Sequence, residues 1–322
     1  NSGEVVVRAI RNDLSMEYSA VGETTHLAAR MEQLATPGTV LATQTVARLA
    51  GDYLQLNALG PVPVRGRSEP VEIFEVVGTT ATRTRLQAAV VKGLTPFVGR
   101  EAELQSLGNL LKRAGSGAGQ VAALVGEPGV GKSRLCWELC QLPLTRGFLI
   151  LEGDSVSYGK GTAYHPIVEL LRAYFQIEES DSARKRREKI VAKLLALDEA
   201  LMGTLPLLLT LLEGSDEETA QSADAQQRAW RTQDALKRLL LRQSQVQPLL
   251  LIFENLHWAD GETRLFLDTL IESVPTAAIL VLVTYRPEYQ HKWASRAHYT
   301  QLTIDTLPPE RASALVRGVL AE

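Results

Sequence analysis

The sequence predicts an α/β chain in two parts, a mixed segment over residues 1–78 and a larger parallel-sheet domain with a helical insertion over 95–322. Three observations carry this. Gln120–Val125, Leu249–Phe253 and Ala278–Thr284 are short, continuous apolar runs, the pattern of parallel strands buried on both faces. A glycine-rich stretch, Gly126–Ser133, lies between the first of these runs and a helical pattern. Between the two parts, Gly78-Thr-Thr-Ala-Thr-Arg-Thr-Arg85 is polar and lacks periodicity, so residues 79–94 read as a linker.

The elements follow in order. Glu4–Ile10 and Tyr18–Val21 suit strands, the second closed by Gly22. Thr25–Ala35 is helical, with Leu27, Ala28, Met31 and Leu34 at helical spacing, and Pro37–Gly38 stops it. Thr39–Thr43 reads as a strand, Gln44–Ala50 as a short helix and Glu72–Val77 as a strand. After the linker, Glu101–Arg113 is an amphipathic helix and Gly115–Gly119 a turn. Lys132 to Leu142 is helical, and Phe148–Glu152 is a strand. Residues 166–245 are mostly helical, interrupted by the polar stretches Glu178–Glu188 and Gly214–Gln227, which read as solvated loop or helix face. Pro309–Glu322 is again helical.

Bulk properties exclude some classes. The formal net charge of −3 offers no global attraction to nucleic acid or an anionic membrane. No apolar run approaches the ~20 residues that span a bilayer. The Leu-rich stretch Leu194–Leu212 is broken by Asp198, Glu199, Gly203 and Pro206 and reads as buried helix. The two cysteines, Cys136 and Cys140, give no disulfide framework and fit a reducing, cytoplasmic setting. Their helical spacing reads as two packed core thiols. The chain begins at Asn1 rather than Met, and both ends read as cuts through something longer.

Gly126-Glu-Pro-Gly-Val-Gly-Lys-Ser133 matches the phosphate-loop pattern G-x-x-x-x-G-K-[ST], and its strand-then-helix setting is the one the pattern requires. Gly126, Gly129 and Gly131, with Glu127, Pro128 and Val130 between them, let the backbone curl its N–H groups toward phosphate oxygens. The following helix turns its positive end to the same anion. Lys132 is placed to reach the β- and γ-phosphates, and the Ser133 hydroxyl to ligate Mg²⁺. Magnesium also takes a carboxylate, and the run Leu249-Leu-Leu-Ile-Phe-Glu254 ends in one at the strand edge where ligands sit. ATP and Mg²⁺ are therefore the expected cofactors.

Four motifs together resemble the AAA/STAND-type signalling ATPases. They are Pro96-Phe-Val-Gly-Arg-Glu-Ala-Glu-Leu104, the phosphate loop, Phe253-Glu-Asn-Leu-His-Trp-Ala-Asp260 and Thr284-Tyr-Arg-Pro-Glu288. The resemblance implies that Val98, Gly99 and Arg100 lie near the adenine and that Arg286 is a sensor facing the γ-phosphate. It also implies two acids in tandem before Leu-His-Trp, the second polarising the attacking water. Here Asn255 follows Glu254. An amide orients water without taking its proton, so slow turnover is expected, to be raised by Asn255→Asp.

Tyr18-Ser-Ala-Val-Gly-Glu-Thr-Thr-His-Leu-Ala-Ala-Arg-Met-Glu32, followed by Ala35-Thr-Pro-Gly38, Leu59-Gly60, Val64-Arg-Gly66 and Pro70–Val76, resembles the C-terminal part of class III adenylate/guanylate cyclases. This implies part of a ferredoxin-like α+β domain, catalysing formation of a cyclic nucleotide and pyrophosphate and dimerising through that domain. In the family an Asn and an Arg four apart on one helix align the ribose and neutralise the α-phosphate. Here they correspond to His26 and Arg30. Ser19 stands at the base-reading position, which leaves ATP and GTP both open. The family's two metal-binding aspartates are expected before residue 1, and Asp13 does not match their context. Three functions stay open: a cyclase joined to an ATP-driven regulatory module, a nucleotide switch with a non-catalytic cyclase half, and a STAND-type transcriptional regulator. No membrane partner and no direct nucleic-acid contact are expected.

Overall fold

The computed structural model describes residues 1–12, 15–64, 67–80, 84–157, 162–213 and 222–320. Asp13, Arg65, Gly66, the 214–221 part of the second polar stretch and the Ser19 side chain lie outside that description. The chain divides into two compact units, Asn1–Thr95 and Pro96–Glu322.

In the first unit, β1 (Val6–Asn12) and β2 (Ser15–Val21) pair as an antiparallel hairpin. Helix α1 (Glu23–Leu34) follows, then β3 (Leu41–Thr43), α2 (Gln44–Ala50), β4 (Leu54–Val62) and β5 (Val71–Thr79). The last three strands form an antiparallel sheet in the order β3-β5-β4. Leu27, Met31, Val64, Val71 and Ile73 make its core. Strand β4 was not legible in the sequence. It contains Asn57, Gly60 and Pro61 and shifts register twice, which removes the alternating pattern. Part of the expected linker is also ordered. Thr84 and Gln87 form a reciprocal capping box that starts α3 (Arg85–Lys92), and Lys92 pairs with Asp52 at 2.5 Å.

The second unit holds a five-stranded parallel sheet made of β6 (Gln120–Val125), β7 (Leu149–Asp154), β8 (Leu249–Glu254), β9 (Ile279–Tyr285) and β10 (Tyr299–Thr303). Their order is β10-β6-β9-β8-β7. Successive residues of the central strands alternate between two cores. Val121, Ala123, Leu249, Leu251, Phe253, Val281 and Val283 face one side, and Ala122, Leu124, Leu250, Ile252, Leu280 and Leu282 face the other. The second side is covered by α4 (Glu101–Gly115) and α5 (Lys132–Cys140). The first is covered by α6 (His165–Tyr174), α7 (Ala183–Leu197), α8 (Leu205–Glu213), α9 (Ser222–Val246) and α10 (Gly261–Ser273). Helix α11 (Pro309–Leu320) ends the described chain. The expected thiols are both free: Cys136 is buried under the sheet, and Cys140 points its Sγ at Glu152 Oε1, 3.9 Å away. None of the described helices is long and apolar enough to cross a membrane.

Asp260 fastens the helices to the strand ends. Its carboxylate caps α10 by accepting from Thr263 N at 2.9 Å and from Thr263 Oγ1 at 2.6 Å. The same Oδ1 accepts from the Tyr164 N–H, 3.1 Å away, just before α6. Asp260 is only 7% exposed. Asp260→Ala removes the cap and strands a buried N–H, at a cost of about 2–4 kcal/mol. Urea unfolding of the two chains is expected to show that loss as a lower midpoint.

Candidate functional site

All five strands are parallel, so their C-terminal ends open on one edge. The loop after β6 is built for that edge. A Cβ on Gly126 would lie 2.3 Å from the carbonyl oxygen of Ile304, so only glycine fits between β6 and the chain leaving β10. Gly131 ends the loop at φ 99°, a conformation glycine adopts without penalty, and α5 begins at Lys132. The N-cap of α5, Gly131, has no side chain to cap the helix. Its first N–H groups are left to an anion.

Lys132 Nζ donates to the carbonyls of Gly126 at 2.7 Å and Glu127 at 2.9 Å. Its pKa is lowered by burial and by the nearby Arg286 cation. The Ser133 hydroxyl donates to Glu254 Oε2. This contact joins the loop to the end of β8 across β9, and it brings together the two predicted Mg²⁺ ligands. Burial pushes the Glu254 carboxyl up to about 7, with Asp154 and Glu152 adding repulsion against the pull of Ser133 and Lys132. Burial also raises Glu152 and Asp154. Among the described residues no group of three or more His, Cys, Asp or Glu side chains forms a metal cluster of its own. The donor set, one hydroxyl and one carboxylate beside a phosphate loop, matches how Mg²⁺ binds with nucleotide phosphates.

The other predicted residues of the second unit gather around the loop. Arg100 donates to the Val130 carbonyl at 3.5 Å, to the Asp305 carbonyl and to Glu103 Oε1 at 2.9 Å. Gly99 N donates to Glu101 Oε1 at 3.1 Å. The Arg134 guanidinium of α5 lies 5.9 Å from the centre of the ring of Phe97, the residue before Val98. Arg286 leaves the end of β9, with its guanidinium 5.2 Å from the centre of the Trp258 ring and 4.0 Å from Glu288.

Asn255 is placed in a way the sequence did not reveal. It leaves β8 in the left-handed region, φ 58°, and its N–H donates to Thr284 Oγ1 at 3.0 Å. Its Nδ2 donates to Asp154 Oδ1 at 2.8 Å. Asp154 was missed because it ends β7 in a polar stretch with no motif around it, 101 residues from its partner.

His26 and Arg30 belong to the first unit. Leu27 and Met31 of α1 are buried, so His26 and Arg30, each one residue earlier, share the adjoining face about 100° round the helix. Arg30 donates to Gln33 Oε1 at 2.8 Å, while Glu23 pairs with Arg67.

The chain is 24% identical over 305 residues to an uncharacterised protein of Rhizobium meliloti, covering 92% of this chain and 29% of that protein. It thus spans less than a third of the length of that relative. It is 34% identical over 80 residues to Adenylate cyclase 1 of the same organism, covering 24% of this chain and 12% of that one. A STAND protein with a tetratricopeptide repeat sensor from Pyrococcus horikoshii covers 71% of this chain, and this chain covers 27% of it, at 15% identity and a TM-score of 0.33, too low to bear on the fold. The chain therefore joins a cyclase-like segment to an ATPase domain. Residues 96–283, more than half of the chain, match the model of the AAA ATPase domain family, and the chain belongs to that family.

Proposed function

We propose that residues 96–320 bind ATP with Mg²⁺ and hydrolyse it, and that this module regulates a class III nucleotide cyclase of which residues 1–78 are a part. The observation that carries the first half is the Ser133–Glu254 hydrogen bond with Lys132 beside it. A hydroxyl, a carboxylate and an ammonium from two strand ends converge beside an uncapped helix N-terminus. Bound Mg²⁺ would supply charge neutralisation of the phosphates, held by Ser133 and Glu254. Gly126 to Gly131 give backbone donors, Val98–Arg100 border the base, and Arg286 is carried toward the γ-phosphate from the end of β9. On this reading Arg286 leaves the Trp258 ring for the more strongly charged phosphate.

The cyclase half rests on sequence similarity and on α1. Arg30 offers a forked donor to an α-phosphate, and His26 offers one N–H in place of an amide. Class III sites draw on two subunits, so we place this domain in a cytoplasmic homodimer that converts ATP or GTP to a cyclic nucleotide with release of pyrophosphate. A nucleotide switch with a non-catalytic cyclase half is the alternative, and His26 is the residue that favours it.

Two measurements test these readings. Calorimetric titration of ATP into the chain and into Lys132→Ala is expected to show a roughly 10- to 150-fold loss, the loss of charge-assisted bonds worth about 1.5–3 kcal/mol. Equal affinities sink the nucleotide site. For the cyclase half, the chain is incubated with Mg²⁺ or Mn²⁺ and ATP or GTP, alone and mixed with a metal-competent cyclase domain lacking its own arginine. Cyclic product is expected only in the mixture, and is expected to vanish with Arg30→Ala. Product unaffected by Arg30→Ala, or none in the mixture, supports the non-catalytic alternative.

A further inference from the structure

The water-activating position of the AAA ATPase site reads as an amide in this chain, yet a carboxylate stands at hydrogen-bond distance from it. Asp154 closes β7 in register with Glu254, so the two acids end adjacent strands at the same level. The main chain between them is fixed, because the Ser155 N–H donates to the Glu254 carbonyl at 3.1 Å. Position 255 is fixed from the other side by Thr284, which is fully buried. In that left-handed turn the Asn255 side chain swings across the strand ends and gives its Nδ2 to Asp154 Oδ1 at 2.8 Å. Asn and Asp are the two non-glycine residues best suited to such a turn. The same backbone accepts the pair with acid and amide in either order.

We propose that Asp154 is a catalytic residue of ATP hydrolysis, forming with Asn255 a carboxylate–amide pair whose acid sits at the end of β7 instead of directly after Glu254. This rests on the reading of the loop as an ATP site. The Asn255 amide oxygen and Asp154 Oδ2 are two acceptors for the two protons of one water. In the step assigned to them, the water oxygen bonds to the γ-phosphorus and the bond to the β–γ bridging oxygen breaks. The electron pair of that bond stays on the β-phosphate of ADP. The proton released by the water passes to Asp154 and then to solvent. Proton acceptance by a positioned side chain contributes about 10²–10⁴-fold. On this proposal the outcome expected for Asn255→Asp is the reverse of the one drawn from Asn255 alone. Asn255→Asp only duplicates the acid that Asp154 already supplies and removes the amide that holds it, so no gain in rate is expected.

The test uses the whole chain and four versions of the pair: wild type, Asp154→Asn, Asn255→Asp and the double exchange. ATP binding is read by calorimetry, phosphate release by steady-state assay, and the nucleotide retained after incubation by chromatography. Asp154→Asn keeps an acceptor for Asn255 Nδ2 and loses only the proton acceptor. It is expected to bind ATP within about threefold of wild type, release phosphate about 10²–10⁴-fold more slowly and retain ATP rather than ADP. The double exchange restores a carboxylate at the other end of the pair and is expected to recover to within about tenfold of wild type, a non-additivity that separates coupled from independent roles. Turnover of Asp154→Asn at the wild-type rate, a double exchange no faster than that single variant, or acceleration by Asn255→Asp each overturns the assignment. Wild type that binds ATP but never releases phosphate overturns it as well, while leaving the binding reading in place. Wild type that binds no ATP defeats both.

Discussion

The structure of the larger unit depends on a sheet buried on both faces. With no water on either side, every backbone group of β6, β8 and β9 must be paired within the ladder. The apolar residues that fill both cores leave no place for polar side chains along the strands. In these three strands polar groups are confined to the ends, and because all five strands run parallel their C-terminal ends meet at one edge. Gly126 follows β6, Asp154 and Glu254 close β7 and β8, and Arg286 follows β9. The clustering of functional groups is thus a consequence of how the core is satisfied.

The charged groups near that edge are electrostatically unbalanced. Glu152, Asp154 and Glu254 are all pushed toward their neutral forms, chiefly by burial. Burial first, and then the Arg286 cation, disfavour the charged form of Lys132. On the proposed reading, a ligand carrying both phosphate and a divalent cation would compensate both sets at once. The carboxyls gain a positive neighbour, and the two cations gain a negative one. Arg286 is meanwhile held by weak partners, an aromatic face and an exposed carboxylate at 4.0 Å.

The first unit is built differently. Among its described residues the core cluster is built on five buried side chains, and Val6, Val7 and Val77 are each about 60% exposed. Sheets that cover one face only, with short strands and a bulged partner, gain less from burial than a sheet covered twice. Helix α1 still presents His26 and Arg30 on one face, because Leu27 and Met31 anchor the next face inward.

The sequence by itself determined what depends on contiguous residues. The phosphate loop was legible because eight consecutive positions must each meet a backbone or charge requirement. Strands β6, β8 and β9 were legible because double burial demands unbroken apolar runs. The edge strand β10, Tyr-Thr-Gln-Leu-Thr, escaped because half of it faces outward and its pattern is diluted. Helix α10 also went unread, although the Asp260 that caps it lay within a recognised motif. Tertiary structure alone decided which groups meet across long separations. Ser133 and Glu254 are 121 residues apart, and Asp154 and Asn255 are 101 apart. No periodicity or local propensity encodes the second of these meetings. It arises from the in-register pairing of β7 with β8 and from one left-handed residue, and both are properties of the folded sheet.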